Sequence, residues 1–339
     1  MPKKPIYILG IESSCDETAA AVLRVQPRQR LELKSSVVAS QMRIHARYGG
    51  VVPEVAARNH VGKIILVIDH ALAQAKIKPR QLSGIAVTVG PGLMSSLLVG
   101  VQTATVLASV WKKPIIPVNH LHGHLYAPWL EHTSIKFPVM ALVVSGGHTE
   151  LVLLKKIGQI KKIGQTIDDA AGEAFDKVAQ LLGLGYPGGP VISNLAERGS
   201  GQAFHFPRPM LASGDFNFSF SGLKTAVLYT VKKIKRLTPQ VKANICASFQ
   251  AAVVEVLTQK TLRAAGQHKA KTVLLTGGVA ANKALRQQIE QQARAQKLYF
   301  VVPDYKFCTD NAAMIAAAGA FGKSVAPEKI RVNPNLPIS

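Results

Sequence analysis

The sequence predicts a duplicated α/β protein, and three observations carry that prediction. Residues 6–25, IYILGIESSCDETAAAVLRV, read as an apolar strand, a turn of small polar residues and a second apolar strand. Residues 137–154, FPVMALVVSGGHTELVLL, repeat that plan at the head of the second half. After each hairpin, strand-like and helix-like segments alternate, which implies helices covering mixed sheets. Each hairpin alone fits an ordinary turn between strands; their recurrence is what points to duplication.

The elements follow in order. In the first half, IAVTVGPGLMSSLLVGVQTATVL gives a strand, a Gly90-Pro91-Gly92 turn and a long helix. PIIPVNHLHGHLYAPWL gives a short strand and a helix for which Asn119 is a suitable N-cap. In the second half, DDAAGEAFDKVAQLLGL is helical, and KTVLLTGGVAANKALRQQIEQQ reads as strand, glycine turn and helix. CTDNAAMIAAAGAF opens a final helix of small residues, with Thr309 or Asp310 near its start. Segments 186–190 and 205–214 read as loops, and the proline-rich tail from Val325 to Ser339 as irregular. The expected lobes are 1–134, completed by the C-terminal helix segment 311–339, and 135–310.

A length of 339 residues suits two lobes, and 47% apolar against 18% charged residues permits substantial cores. Three widely spaced cysteines, Cys15, Cys246 and Cys308, argue against a disulfide framework and fit a reducing cytosol. The apolar run in MPKKPIYILGIESS is too short for a secretory signal, so export is not expected. Between Arg80 and Lys112 no charged residue occurs, which imitates a membrane span. Gly90-Pro91-Gly92 divides it into strand and helix, each shorter than the roughly 20 apolar residues of a span, so no membrane association is expected. Net charge is +22, from 41 Lys plus Arg against 19 Asp plus Glu. A polyanion is the simplest partner for such a charge, because each neutralised phosphate releases counterions. Lys155-Lys156, Lys161-Lys162 and Lys232-Lys233 with Lys235-Arg236 are candidate footprints; a diffusely basic, solvated surface is the alternative.

His120 and His124 in NHLHGH stand at i and i+4, so on a helix they face one way and can share a metal ion. A carboxylate is the expected further ligand, and Asp310 is the most attractive distant candidate. Two features complicate this. On a strand His122 would join the same face, and Gly123 weakens a helix by about 1 kcal/mol relative to alanine. Packed or hydrogen-bonded histidines are the alternative. Peptide hydrolysis is disfavoured, because the HExxH general base is replaced by Leu121.

Other constellations suit a nucleotide. Ser145-Gly146-Gly147-His148 can present amides to phosphate, and Gly277-Gly278 followed by Ala281-Asn282 allows close approach of a ligand. Asp176 in GEAFDK suits a ribose hydroxyl, or is an exposed helix carboxylate beside Lys177. Gly188-Gly189-Pro190 is a ligand-side turn or simply a turn. GxxxxGK[ST] does not occur at these sites, and the dinucleotide-binding fingerprint, GxGxxG between a strand and a helix, is not matched. Asp16 and Glu17 suit a second metal, orientation of a reacting group, or turn hydrogen bonding. Cys15 has no clear basic activator and is not assigned as a nucleophile.

Taken together, GIESSCDET, GGVVPEVAARNH, GPGLMSSLLVG, NHLHGHLYAP, VVSGGHTEL, DDAAGEAFDKVAQLLGLGYPGGP, FSFSGLKTA, TGGVAAN and FCTDNAAMIA closely resemble the bacterial TsaD family of tRNA N6-adenosine threonylcarbamoyltransferases. The resemblance runs over nearly the whole chain. It implies two actin-like lobes, of the sugar kinase and Hsp70-type ATPase fold, around a nucleotide cleft. The implied cytoplasmic reaction moves a threonylcarbamoyl group from threonylcarbamoyl-adenylate to N6 of adenosine 37 in tRNAs reading codons that begin with adenine, releasing AMP. The family's metal ligands match His120, His124 and Asp310, usually with iron, although such donors also accept zinc. Its adenylate motifs fall on Val143, Val144, Ser145, Gly146, Gly147, Asp176, Gly189 and Asn282. Asp16 is the candidate catalytic side chain. TsaB and TsaE are the implied companions, with TsaC supplying the adenylate. Two positions depart from the pattern: Val143 stands where archaeal relatives place a tyrosine ligand, and Ser193 where some members have an acidic residue. The competing readings are an ATPase or sugar kinase of the same fold and a noncatalytic tRNA-binding assembly subunit.

Overall fold

Ile6–Glu12 is a nearly continuous apolar run, and it forms a central strand, β1, because both of its faces are covered. The structure, a computed structural model, describes residues 5–27, 30–132 and 134–339. Lys3 and Lys4, in the segment used for the export reading, lie outside the described residues. β1 pairs antiparallel with β2 (Glu17–Val25), and β2 antiparallel with β3 (Leu31–Ser40). After α1 (Met42–His45) and α2 (Pro53–Ala75), β4 (Gly84–Gly90) adds parallel to the other side of β1. α3 (Met94–Trp111) leads to β5 (Ile115–Asn119), parallel to β4, and α4 (His120–Tyr126) follows at once.

The second sheet repeats this plan strand for strand. β6 (Val139–Val144), β7 (Thr149–Lys156) and β8 (Gln159–Gln165) form an antiparallel meander. Then come α5 (Ala171–Leu181), α6 (Gly188–Ala196), α7 (Ser221–Lys233) and α8 (Pro239–Gln267). β9 (Thr272–Thr276) joins β6 in parallel, and after α9 (Lys283–Ala295), β10 (Tyr299–Val301) joins β9 in parallel. The orders β3-β2-β1-β4-β5 and β8-β7-β6-β9-β10 are equivalent. The last helix is α10 (Ala312–Gly319).

One compact unit comprises Met1–Ser134 with Pro303–Ile338, and the other Ile135–Val302 with Ser339. The return to the first unit thus falls before Pro303, ahead of the expected 310/311 position. Part of the reason is local: the Asp304 amide donates to Glu131 Oε2 at 2.9 Å, within the first unit. Of 311–339, α-helix covers only Ala312–Gly319, and the tail is otherwise irregular apart from an antiparallel bridge of Val325 to Ile115 and a short 3-10 turn at Pro327–Lys329.

In the first unit, Leu9 and Ile11 of β1 share one core with Ile64, Ile68 and Ala71 of α2 and Val101 and Ala104 of α3. The period-two alternation sends Gly10 to the other face, against α10. A Cβ at Gly10 would overlap the Ala312 carbonyl and lie 2.9 Å from Ala316 Cβ, so the alanine-rich helix sits nearly backbone to backbone on the sheet. Among the described residues, α3 and α8 are long and apolar enough to cross a membrane. The charge-free stretch between Arg80 and Lys112 contains α3 alone of these two; α8 owes its apolarity to a place in the second unit's core, where Phe249, Val253, Val256 and Leu257 are fully buried. Gly10→Ala is expected to destabilise the protein by about 1–3 kcal/mol through overpacking, and Gly10→Val by more, as read by the urea midpoint of unfolding.

Candidate functional site

β5 ends at Asn119, whose side chain accepts a hydrogen bond from the Leu121 amide at 2.9 Å and starts α4. The helix settles the face question. His120 and His124 lie one turn apart, while His122 points elsewhere and donates from Nε2 to the Ile338 carbonyl at 2.7 Å. Asn311 caps α10 by accepting from the Met314 amide at 2.9 Å, which fixes Asp310 just ahead of that helix. Gly123 explains how the two elements meet: a Cβ there would lie 2.8 Å from Ile315 Cδ1 and 3.1 Å from Met314 Cγ. The residue that weakens α4 as a helix lets α10 approach it.

The Nε2 atoms of His120 and His124 each lie 3.4 Å from the same Asp310 Oδ1. All candidate ligand atoms are within 4.8 Å of one another. An edge of about 3.4 Å is what a tetrahedral shell with bonds of about 2.1 Å requires. Two imidazoles and one carboxylate therefore fit a single divalent cation and leave coordination positions open.

The electrostatics point the same way. Burial opposes charge on His120, but the carboxylates of Asp310 and Glu12 outweigh it and hold its pKa well above the ordinary histidine value. Burial lowers the pKa of His124 despite its bond to Asp310. Burial would raise that of Asp310, yet the two imidazoles hold it well below the usual carboxylate range. Glu12, which sequence reasoning missed, ends β1 fully buried, with Oε2 3.0 Å from His120 Nδ1. The signal was present in GIESS: an acid closing an apolar strand calls for a buried partner.

Asp16 and Glu17 are outside the metal-competent cluster found among the described residues. Burial, then the charge of Asp310, raises the pKa of Asp16. Burial pushes Glu17 up to about 7 although the Ser40 hydroxyl donates to it at 2.8 Å. The Cys15 thiol is raised well above its ordinary value by burial and by Asp16, the opposite of an activated nucleophile.

The nucleotide candidates belong to the second unit. The Ser145 amide donates to the His148 carbonyl at 2.8 Å, closing a turn in which Gly146 and Gly147 are exposed and face open space. The Gly172 amide donates to the Ser145 carbonyl at 3.2 Å, so α5 begins beside that turn. Gly277, with φ +94°, packs against the Val144 carbonyl and brings the β9 turn to the same end of β6. Val143 and Val144 have fully buried side chains and pair in the sheet with Glu150 and Thr149 of β7, Val143 also with Thr276 of β9. Asp176 accepts from the Gly188 amide at 2.7 Å, at the first residue of α6, and burial raises its pKa. Lys177 instead pairs with Asp169 at 2.8 Å and Glu173 at 2.7 Å. Gly189 follows that contact, with nothing near its missing Cβ. Asn282 caps α9 through the Leu285 amide at 3.0 Å and donates to Gln250 Oε1 at 2.7 Å, with Ser193 Oγ at 3.4 Å. Gln250, mid-helix in α8, carried no sequence signal.

Metal analysis after dialysis is expected to separate the histidines: His124→Ala and Asp310→Ala lose stoichiometric divalent metal, whereas His122→Ala keeps it.

A family model for TsaD, tRNA N6-adenosine threonylcarbamoyltransferase, matches residues 32–317. The chain is 51% identical over 314 residues to the tRNA N6-adenosine threonylcarbamoyltransferase of Thermosipho melanesiensis, covering 93% of this chain and 94% of that one. It is 52% identical over 320 residues to the Listeria innocua enzyme of the same name, covering 94% and 91%. Among solved structures, full-length HypF in its phosphate- and nucleotide-bound form aligns with a TM-score of 0.62 at 14% identity, over 94% of this chain and 46% of HypF. The activator of 2-hydroxyisocaproyl-CoA dehydratase from Clostridium difficile, with bound ADPNP, aligns at 0.50 and 14% identity over 93% and 94%. These two likenesses show a shared fold of the actin-like ATPase type, and the sequence matches go further: this chain belongs to the tRNA N6-adenosine threonylcarbamoyltransferase family.

Proposed function

We propose that the chain transfers the threonylcarbamoyl group of threonylcarbamoyl-adenylate to N6 of adenosine 37 in tRNAs reading codons that begin with adenine, releasing AMP. Transferase class and tRNA substrate follow from family membership. The observation that carries the mechanism is the convergence of His120, His124 and Asp310 on one point. His120, His124 and Asp310 would hold a divalent cation there, assigned as iron with zinc as the alternative, which would supply Lewis-acid stabilisation of charge developing on the carbamoyl oxygen.

The protein's own groups do the rest. The exposed turn at Gly146 and Gly147 suits the adenylate phosphate, and Ser145, Asp176, Gly189, Asn282 and the main chain of Val143 and Val144 are assigned to the same ligand. The adenine amine forms the new C–N bond as the C–O bond to AMP breaks, and Asp16, with its raised proton affinity, is assigned to accept the amine proton. No covalent protein intermediate is needed.

The tRNA supplies the polyanion that the charge calls for. Residues 216–254 contain no Asp or Glu, and Lys232, Lys233, Lys235 and Arg236 are exposed where α7 gives way to the loop before α8. We assign tRNA phosphates to that cluster, and the reaction to the cytoplasm. TsaB and TsaE are assigned as partner chains, with TsaC providing the adenylate. Val61 and Ile65 of α2 and Leu98, Val106 and Val110 of α3 are exposed on helices that pack together, an apolar face suited to a protein partner.

Reconstitution with TsaB, TsaE, threonylcarbamoyl-adenylate and substrate tRNA, followed by nucleoside mass analysis, is expected to show the added threonylcarbamoyl mass. His120→Ala and Asp310→Ala should lower the rate by on the order of 10²–10³. Unmodified adenosine with the wild type would overturn the reading, and an acylated protein in single turnover would overturn direct transfer. Combining Lys232→Glu, Lys233→Glu and Lys235→Glu should weaken tRNA binding and flatten its salt dependence by about one unit of log–log slope per lost contact. The same change at Lys155, Lys156 and Lys161 serves as the comparison.

A further inference from the structure

Resting on the metal reading above, we propose that Glu12 is a positioning residue for the metal centre: it holds the Nδ1 proton of His120 and thereby aims the Nε2 lone pair at the cation. His120 is tied from behind by a buried carboxylate, and the geometry shows why that carboxylate is not itself a ligand. Glu12 Oε2 lies 3.0 Å from His120 Nδ1, on the side of the ring away from the Nε2 that faces Asp310. Its other bonds come from protein donors. Oε1 accepts from the Ser14 amide at 2.6 Å, and Oε2 from the Thr88 hydroxyl at 2.8 Å.

These bonds join three elements. Glu12 ends β1, Thr88 belongs to the neighbouring β4, and His120 opens α4. Glu12 and Thr88 are essentially inaccessible to water, at 0% and 1% exposure, so no solvent competes for the carboxylate. Ser14 Oγ, 3.1 Å from Nδ1, is a second neighbour of that nitrogen, but a neutral one. A carboxylate accepting from Nδ1–H makes the ring more basic at Nε2 and fixes its tautomer and rotation. A purely structural Glu12, serving only to close the β1 turn through the Ser14 amide, would leave His120 indifferent to its charge.

The test titrates the full chain with Zn²⁺ against a chromophoric chelator and observes the imidazole N–H protons of the zinc-loaded, ¹⁵N-histidine-labelled protein. Glu12→Gln keeps the side-chain size and removes the charge; zinc affinity is expected to fall about 10–100-fold, with the downfield Nδ1–H signal of His120 shifted or lost. Thr88→Val removes one donor to the carboxylate and is expected to cost about fivefold. It decides the matter if Glu12→Gln fails to fold. Wild-type affinity and an unchanged His120 signal in the folded variants would overturn the proposal and leave the metal site standing. Failure of the wild type to bind zinc, cobalt or ferrous ion would overturn the metal reading and this inference with it.

Discussion

The candidate metal centre depends on one packing constraint: α10 must sit almost in contact with the backbone of β1 and with the body of α4. Only small residues permit that distance. Gly10 makes room on the strand, Gly123 on α4, and Ala312, Ala313, Ala316 and Ala317 on α10 itself are fully buried. The histidines and Asp310 are far apart in the chain and share a site because this interface is thin. A bulkier residue at Gly123 would keep α4 intact as a helix, improving local propensity, and would still push the ligands apart. Here local helix preference is subordinate to approach distance.

Charge then decides what the thin interface can hold. Two carboxylates, Glu12 and Asp310, flank His120 within a region largely closed to water, so the site stabilises positive charge in one place. A proton on His120 answers that demand without metal, and a divalent cation answers it with metal. The opposed behaviour of the two histidines reflects a different balance: at His120 the adjacent carboxylates of Asp310 and Glu12 outweigh burial, and at His124 burial prevails. The tail contributes as well: His122 and Asn119 are bonded to Ile338 and Pro337, which steadies α4 from its other side.

The two sheets have equivalent topology and use the matching turn differently. In the first unit the turn after β1 is covered: Ser13 and Ser14 are buried, and Gly92 packs within reach of the Ser14 carbonyl. In the second unit the turn after β6 is exposed at Gly146 and Gly147, with open space where a Cβ would stand. Duplication therefore supplies two versions of one loop, and side-chain size around each separates a buried turn beside His120 from an exposed one at Gly146 and Gly147. Asp176 and Asn282 show a further economy, since each already anchors a helix start and any ligand would meet groups held in place by those bonds.

Sequence by itself was enough for the duplicated strand–turn–strand plan, the Asn119 cap, the i,i+4 histidines and the family motifs, because these are short-range patterns that repeat or carry fixed spacing. It also left real alternatives: helix or strand for NHLHGH, ribose ligand or exposed carboxylate for Asp176. Tertiary structure resolved the first by turning His122 toward the tail, and recast the second by giving Asp176 a helix start to hold. It alone supplied Glu12 behind His120 and Gln250 beside Asn282, and it returned Pro303–Ile338 to the first unit. The reason is physical. A ligand set or a buried carboxylate's partner depends on distances between segments more than a hundred residues apart, and such distances are set by packing volume rather than by any local periodicity.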